Sequence, residues 1–137
     1  SLTVMVQEEV ADRIIAKPKS KDYGVLTIIW GLFGESQKVI RVGREKFYPV
    51  PNVDSAVVRI TKTENNLDKA KFLGVINLAK KAFAMRRKKL STNLEDGKIS
   101  KQKIETLIAQ KGFSESARAE ELSVEDFIWL YEELKKC

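Results

Sequence analysis

The sequence has no histidine, and its one cysteine, Cys137, stands at the last position. Without histidine there is no imidazole general base, no commonest zinc ligand, and no Ser–His or Cys–His nucleophile pair. A lone cysteine excludes an internal disulfide and a cysteine-rich metal site, and this usage fits a reducing cytoplasm. Long apolar runs are missing too. A membrane span needs about eighteen consecutive apolar residues, whereas the stretch from Val25 to Phe33 is short and contains Gly31. The opening Ser-Leu-Thr-Val has no basic segment or small-residue cleavage site of a secretory leader, and a start at Ser1 without Met is expected of a trimmed or engineered chain. The seven glycines are scattered, and Gly31-x-x-Gly34 is not a phosphate-cradling loop. Any chemistry must therefore come from carboxylates, backbone groups or an external cofactor.

What is present is charge. Lysine and arginine number 25 against 19 acidic residues, a net charge of +6 and a pI near 9.4 over 137 residues. Such an excess is compatible with a polyanionic partner and does not by itself prove one. Residues 1–64 carry 10 basic and 8 acidic side chains, residues 65–137 carry 15 and 11, and the densest excess lies between Lys80 and Lys89.

The pattern predicts an α/β first half and an all-α second half. Leu2 to Gln7 reads as a buried strand and Glu8 to Ala16 as a helix with acidic residues in its first turn, where the helix dipole favours them. Asp22 is positioned to cap a helix from Tyr23 to about Phe33 that is apolar nearly all round and so expected to be buried. Ser36 to Val42 fits a strand through Val39 and Ile40, and the β-branched Val53 to Thr63 reads as another. Polar Thr61 to Asn66 marks the boundary between domains at 1–64 and 65–137. Beyond it, Asp68 to Phe83 sets Phe72, Val75, Ile76, Ala79 and Phe83 on one helical stripe, and Arg86 to Leu94 either continues this helix or kinks from it. Ser100 starts a helix that Gly112 stops. Ser123-Val-Glu-Asp126 is a capping box before a helix through Leu134 with Phe127, Leu130, Tyr131 and Leu134 inward. Trp30 and Trp129 read as core. A parallel sheet should open with strands and crossovers that are absent here, so the chain is expected to begin within a fold.

Two segments carry functional interest. In Phe47-Tyr48-Pro49-Val50-Pro51-Asn52-Val53-Asp54-Ser55, prolines at alternate positions stiffen the connector and bias Tyr48 and Val50 toward extended backbone. Such a loop either presents an aromatic ring or packs Phe47 under the sheet. In Lys80-Lys81 with Arg86-Arg87-Lys88-Lys89, a continuous helix would stack Lys80 on Arg87 and Lys81 on Lys88 as two basic rows. Arg86 would then fall on the apolar line, half-buried against a carboxylate. The bland alternative is a solvated face. Lys17, Lys19 and Lys21, and Arg41, Arg44 and Lys46 around Phe47, are secondary candidates. Glu8-Glu9 and Glu120-Glu121 diverge on helices and form no acid/base dyad, and Asp54 reads as a strand-end anchor.

The chain resembles the C-terminal half of the small-subunit ribosomal RNA adenine dimethyltransferases (the KsgA or RsmA type). The matching segments are VQEEVADR from Val6, YGVLT from Tyr23, FYPVPNVDSAVVRI from Phe47 and AFAMRRKKL from Ala82, with Asn93-Leu94 behind it; Arg118 to Ser123 is a weaker fifth. They cover essentially the whole chain. The resemblance implies the C-terminal part of a Rossmann-like, S-adenosylmethionine-dependent methyltransferase sheet followed by a small helical RNA-binding domain. It further implies dimethylation of two adjacent adenines near the 3′ end of 16S ribosomal RNA in the immature 30S subunit. Phe47 would contact the extruded base with Tyr48 as its neighbour. Lys80, Lys81, Arg86, Arg87, Lys88 and Lys89, with Arg44 and Lys46, would contact RNA.

The departures from the family pattern are as informative. The glycine-rich loop for the methyl donor, the acidic residue for its ribose and the Asn-Leu-Pro-Tyr-type motif do not occur. The expectation is therefore a chain with no catalytic or cofactor-binding residues, no metal, no bound S-adenosylmethionine and at most RNA binding, self-associating through an exposed sheet edge. The alternatives are the related Erm type, which methylates 23S ribosomal RNA, and a non-catalytic RNA-binding or ribosome-assembly module. Asp54-Ser55-Ala56-Val57-Val58 and the Arg-Arg-Lys run favour the small-subunit type over Erm. A helical protein-interaction domain would require the aromatic–proline loop to be accidental.

Overall fold

In the computed structural model, which describes residues 1–64 and 67–137, the chain divides into two compact units, Ser1–Asn66 and Leu67–Cys137. The first unit runs β1 (Leu2–Gln7), α1 (Glu8–Ile15), α2 (Val25–Phe33), β2 (Gly34–Val42) and β3 (Ser55–Lys62). β3 lies in the centre of a three-stranded sheet ordered β1–β3–β2. Its alternation explains that place: Ala56, Val58 and Ile60 are wholly buried on one face, against Ala11 and Ile14 of α1. Val4 and Val6 of β1, and Leu26, Trp30 and Phe33 of α2, complete this core. A strand of period two and a helix of period 3.6 thus bury their apolar faces against each other.

Several expectations need correction here. All strand pairing among the described residues is antiparallel, with Val4 opposite Val58 and Ser36 opposite Ile60. α2 starts two residues late. Gly24, not Asp22, precedes it, and the Gly24 N–H donates to the Thr27 hydroxyl at 3.2 Å. Only Thr27, Ile28 and Leu32 of α2 are buried. In β2 the register shifts between Lys38 and Ile40, a bulge that leaves Val39 and Ile40 44% and 57% exposed instead of alternating. Of the polar boundary, Thr61 and Lys62 still belong to β3, while Asn65 and Asn66 lie outside the described residues.

The second unit is helical: α3 (Lys69–Ala82), α4 (Leu90–Leu94), α5 (Lys101–Gln110) and α6 (Val124–Lys135). The starts are set by side-chain caps. Asp68 accepts from the Lys71 N–H at 2.8 Å and Ser100 from the Lys103 N–H at 3.1 Å. Ser123 and Asp126 cap reciprocally at 3.1 and 2.9 Å. Gly112 has φ +94° after α5, a left-handed turn that a side chain disfavours. Val75, Ala79, Leu90, Ile104, Ile108, Phe127 and Leu130 form the interior, each worth roughly 1.5–3 kcal/mol for a fully buried large side chain and less for Ala79. Phe72, Phe83, Tyr131 and Leu134 are half-buried. So are Trp30 and Trp129, the latter carrying the Lys111 ammonium 4.8 Å above its ring. No helix among the described residues is long and apolar enough to cross a membrane.

Candidate nucleic-acid interface

The connector between β2 and β3 is organised by one carboxylate. Asp54, at the foot of β3, accepts from the Arg44 N–H at 2.8 Å and from the guanidiniums of Arg41 and Arg44. Its carbonyl accepts from the Glu8 N–H at 2.9 Å, and Glu8 in turn accepts from Arg41 Nε at 2.6 Å. The Arg44 N–H, outweighing partial burial, together with the two guanidiniums holds the Asp54 carboxyl below the ordinary carboxylate range. Asp54 is therefore a strand-end anchor. Arg44 also donates to the Asn52 carbonyl at 3.0 Å, which closes the loop on itself.

On this base a short 3-10 turn, Arg44–Lys46, hands the chain to Phe47, whose N–H donates to the Arg44 carbonyl at 3.2 Å. Phe47 has extended backbone and is half-buried, while Tyr48 is 99% exposed. The Tyr48–Pro49 bond is cis. Of the two readings of this loop, Phe47 is neither entombed nor fully offered to solvent, and the wholly presented ring is that of Tyr48. Lys46 is exposed, whereas the guanidiniums of Arg41 and Arg44 are already engaged in holding the loop.

The basic segment is not one helix. α3 stops at Ala82, residues 83–89 form turns, and α4 begins at Leu90, so the two stacked basic rows do not exist. Asn93 explains the break: its side-chain amide donates to the carbonyls of Ala82 and Met85, both at 2.9 Å, taking acceptors that a continuing helix would use. The break lets Leu90, Ser91 and Leu94 turn into the core. Lys80 and Lys81 stay on the last turn of α3, where the dipole favours cations. Arg86 to Lys89 project from the turn and are all exposed. Arg86 is exposed instead of half-buried, and its guanidinium sits 5.7 Å from the centre of the Phe83 ring. Lys81 lies 3.8 Å from Asp96, and no ion pair among the described residues engages Arg87, Lys88 or Lys89.

Lys17 and Lys19 flank an exposed turn closed by Ser20 onto the Lys17 carbonyl at 2.8 Å, with Lys21 just beyond. Among the described residues no cluster of acidic or cysteine side chains could hold a metal ion. Five of the seven glycines have defined surroundings. The backbone approach at Gly34 is to Thr61 of the neighbouring strand, that at Gly43 to the Glu45 side chain and that at Gly74 to the Tyr131 ring, while Gly97 and Gly112 face open space. Sequence reasoning passed over two organisers, Asn93 as a helix stop and the Glu8–Arg41–Asp54 chain. The only signal for either was their position beside the aromatic and basic motifs.

The family model of ribosomal RNA adenine dimethylase matches residues 1–136. The chain is 41% identical over 128 residues to ribosomal RNA small subunit methyltransferase A of Desulfitobacterium hafniense (strain DSM 10664 / DCB-2), covering 93% of this chain and 46% of that one. The enzyme of the same name from Bacillus licheniformis is 41% identical over 143 residues, covering 98% and 48%. Among solved structures, a dimethyladenosine transferase from Plasmodium falciparum superimposes with a TM-score of 0.79 at 25% identity over 98% of this chain and 56% of that one. The 23S rRNA methyltransferase ErmE gives 0.64 at 26% identity, covering 97% and 54%. The chain thus spans about half the length of the curated relatives it matches.

Proposed function

Because the chain belongs to the ribosomal RNA adenine dimethylase family, we propose that it is the RNA-presenting portion of a small-subunit ribosomal RNA adenine N6,N6-dimethyltransferase. Residues 1–64 are the C-terminal portion of the Rossmann-like methyltransferase domain, and residues 65–137 are the helical RNA-binding domain. The whole enzyme uses S-adenosylmethionine to dimethylate two adjacent adenines near the 3′ end of 16S ribosomal RNA, acting in the cytoplasm on the immature 30S subunit. An adenine amine is a poor nucleophile because its lone pair is delocalised into the ring. The base must therefore leave its stack and be held in place.

This chain contributes to the holding. Phe47 packs against the extruded base, Tyr48 lies beside it, and Lys46 attracts the adjoining phosphates. Arg44 acts by fixing the loop, and its outward edge remains open to the backbone of the RNA. Lys80, Lys81 and Arg86 to Lys89 grip phosphates through a sequence-independent, salt-sensitive attraction. The observation that carries the reading is the connector, an aromatic pair on a loop whose base is tied down by Asp54, Arg41 and Arg44.

Neither the glycine-rich loop nor the Asn-Leu-Pro-Tyr-type motif occurs in the sequence, and this supports the proposal that the chain alone binds RNA without methylating it. The small-subunit reading is favoured over the Erm type by the 41% identical relatives and by the higher TM-score of the dimethyladenosine transferase. Two measurements test the proposal. A gel shift with a hairpin from the 3′ end of small-subunit ribosomal RNA, at two salt concentrations, should show salt-sensitive binding. Titration with S-adenosylmethionine should show none, and micromolar affinity would overturn the inactivity.

A further inference from the structure

α3 and α6 leave an open groove of about 700 Å³ within the helical unit. Its floor is apolar, with Leu78, Leu94, Ile99 and Leu134 among the lining residues. One wall is the half-buried ring of Tyr131, which reaches the groove because α3 carries Gly74 opposite it: a Cβ there would come within 2.4–2.5 Å of the ring's outer atoms. Asn77 is exposed on the helix surface at the edge of the groove. Lys80, Lys81 and Lys135 share the rim with a single carboxylate, Asp96, and the Lys135 ammonium, 5.7 Å from the centre of the Tyr131 ring, must swing aside for a base to stack there. That carboxylate is occupied by the N–H groups of Lys98 and Ile99, both at 2.8 Å, and its approach to Lys81 is loose at 3.8 Å. The rim is therefore cationic over an apolar floor.

We infer that this groove receives an unpaired nucleobase of the bound RNA, stacked on Tyr131 and over the leucine floor, with its flanking phosphates on Lys80 and Lys81. An aromatic platform beside cations is the arrangement that holds single-stranded nucleic acid irrespective of sequence. The groove is continuous with the basic segment, because Lys80 and Lys81 belong to both. An apolar floor of this extent is of no use to a duplex, which exposes phosphates and groove edges but no base faces. The inference rests on the reading of the chain as an RNA binder and adds to it a preference for single strands at a defined place.

The test compares a single-stranded oligoribonucleotide of eight residues with a blunt RNA duplex of the same length. Both are titrated against the whole chain and against Asn77→Trp and Asn77→Ala. Position 77 is on the helix surface, so the indole can cover the groove without entering the core. The expected result is single-strand affinity about tenfold lower for Asn77→Trp, near unchanged for Asn77→Ala, and duplex affinity unchanged for both. Photocrosslinking of a 5-iodouridine-bearing strand to the unaltered chain should mark Tyr131, which keeps the test open should the tryptophan variant misfold. Binding of both RNAs with no loss in Asn77→Trp and no crosslink at Tyr131 overturns the groove while leaving RNA binding intact. Binding of neither RNA overturns both readings. Displacement of the single strand from the groove only by an acidic amphipathic peptide of far higher affinity would assign the groove to a protein and also overturn the inference.

Discussion

Replacing Asn93 removes the clamp that stops α3 and shapes the basic turn. Its amide makes two hydrogen bonds of 2.9 Å, to Ala82 and Met85, from a half-buried position. A neutral hydrogen bond contributes about 0.5–1.5 kcal/mol net, so Asn93→Ala should cost roughly 1–3 kcal/mol when both are removed. In a helical unit of this size each kcal/mol corresponds to about 4–8 °C in melting temperature. Asn93→Asp is the sharper variant. It is nearly isosteric, but its carboxylate turns acceptors toward two carbonyl oxygens, so the cost should equal or exceed that of alanine. Urea denaturation followed by far-ultraviolet circular dichroism reads the order directly. RNA affinity should fall in both variants, because the turn bearing Arg86 to Lys89 loses its fixed shape although every cation remains. An aspartate variant as stable as the parent, or clearly more stable than the alanine variant, would refute the clamp.

Charge reversal at Arg87 and Lys88 should weaken RNA binding and reduce the slope of log affinity against log salt by roughly one unit for each phosphate that is no longer neutralised; an unchanged slope would return both residues to a solvated face. Acid should destabilise both units. Asp54 is held low chiefly by the Arg44 N–H, Asp96 by the Ile99 N–H and Glu132 by the Lys71 ammonium. Because these folded-state values are depressed, the contribution is complete above the unfolded carboxylate range near pH 4 and disappears as pH falls through the folded values. Melting temperatures measured down to about pH 3 should drop less for Asp54→Asn than for the parent chain. The outward face of the sheet aligns the exposed Met5 and Ile40 on either side of Val57, and both outer strands present edges. The isolated chain should accordingly self-associate in sedimentation velocity, and Met5→Lys should shift it toward monomer. A concentration-independent monomer would argue against that edge.

How much could be read in advance depended on whether the determining interaction was local. β3 was legible because the β-branched residues of Val53 to Thr63 favour extended backbone within the segment itself, and α5 and α6 because Ser100, Gly112 and Ser123 act within a few residues. The break after Ala82 was not, since residues 83–89 contain neither proline nor glycine and the stop comes from Asn93 and the burial of Leu90. The same holds for the connector. Its prolines announced stiffness, but Glu8, Arg41 and Asp54 meet only once β1, β2 and β3 are assembled. Tyr23 and Asp22 show the converse, a plausible local cap overruled by a Gly24–Thr27 bond. Arg86 looked like a buried partner on a helical wheel that the chain does not form.

The most direct measurement is the affinity of the chain for a 3′-end hairpin with two unpaired adenines, compared between the parent and Phe47→Ala. A ring stacked on a base is worth roughly 1–3 kcal/mol, so binding should weaken about 5- to 150-fold, while affinity for the fully paired hairpin stays the same. Equal affinity of both proteins for the unpaired hairpin would show that Phe47 serves only the packing of its loop.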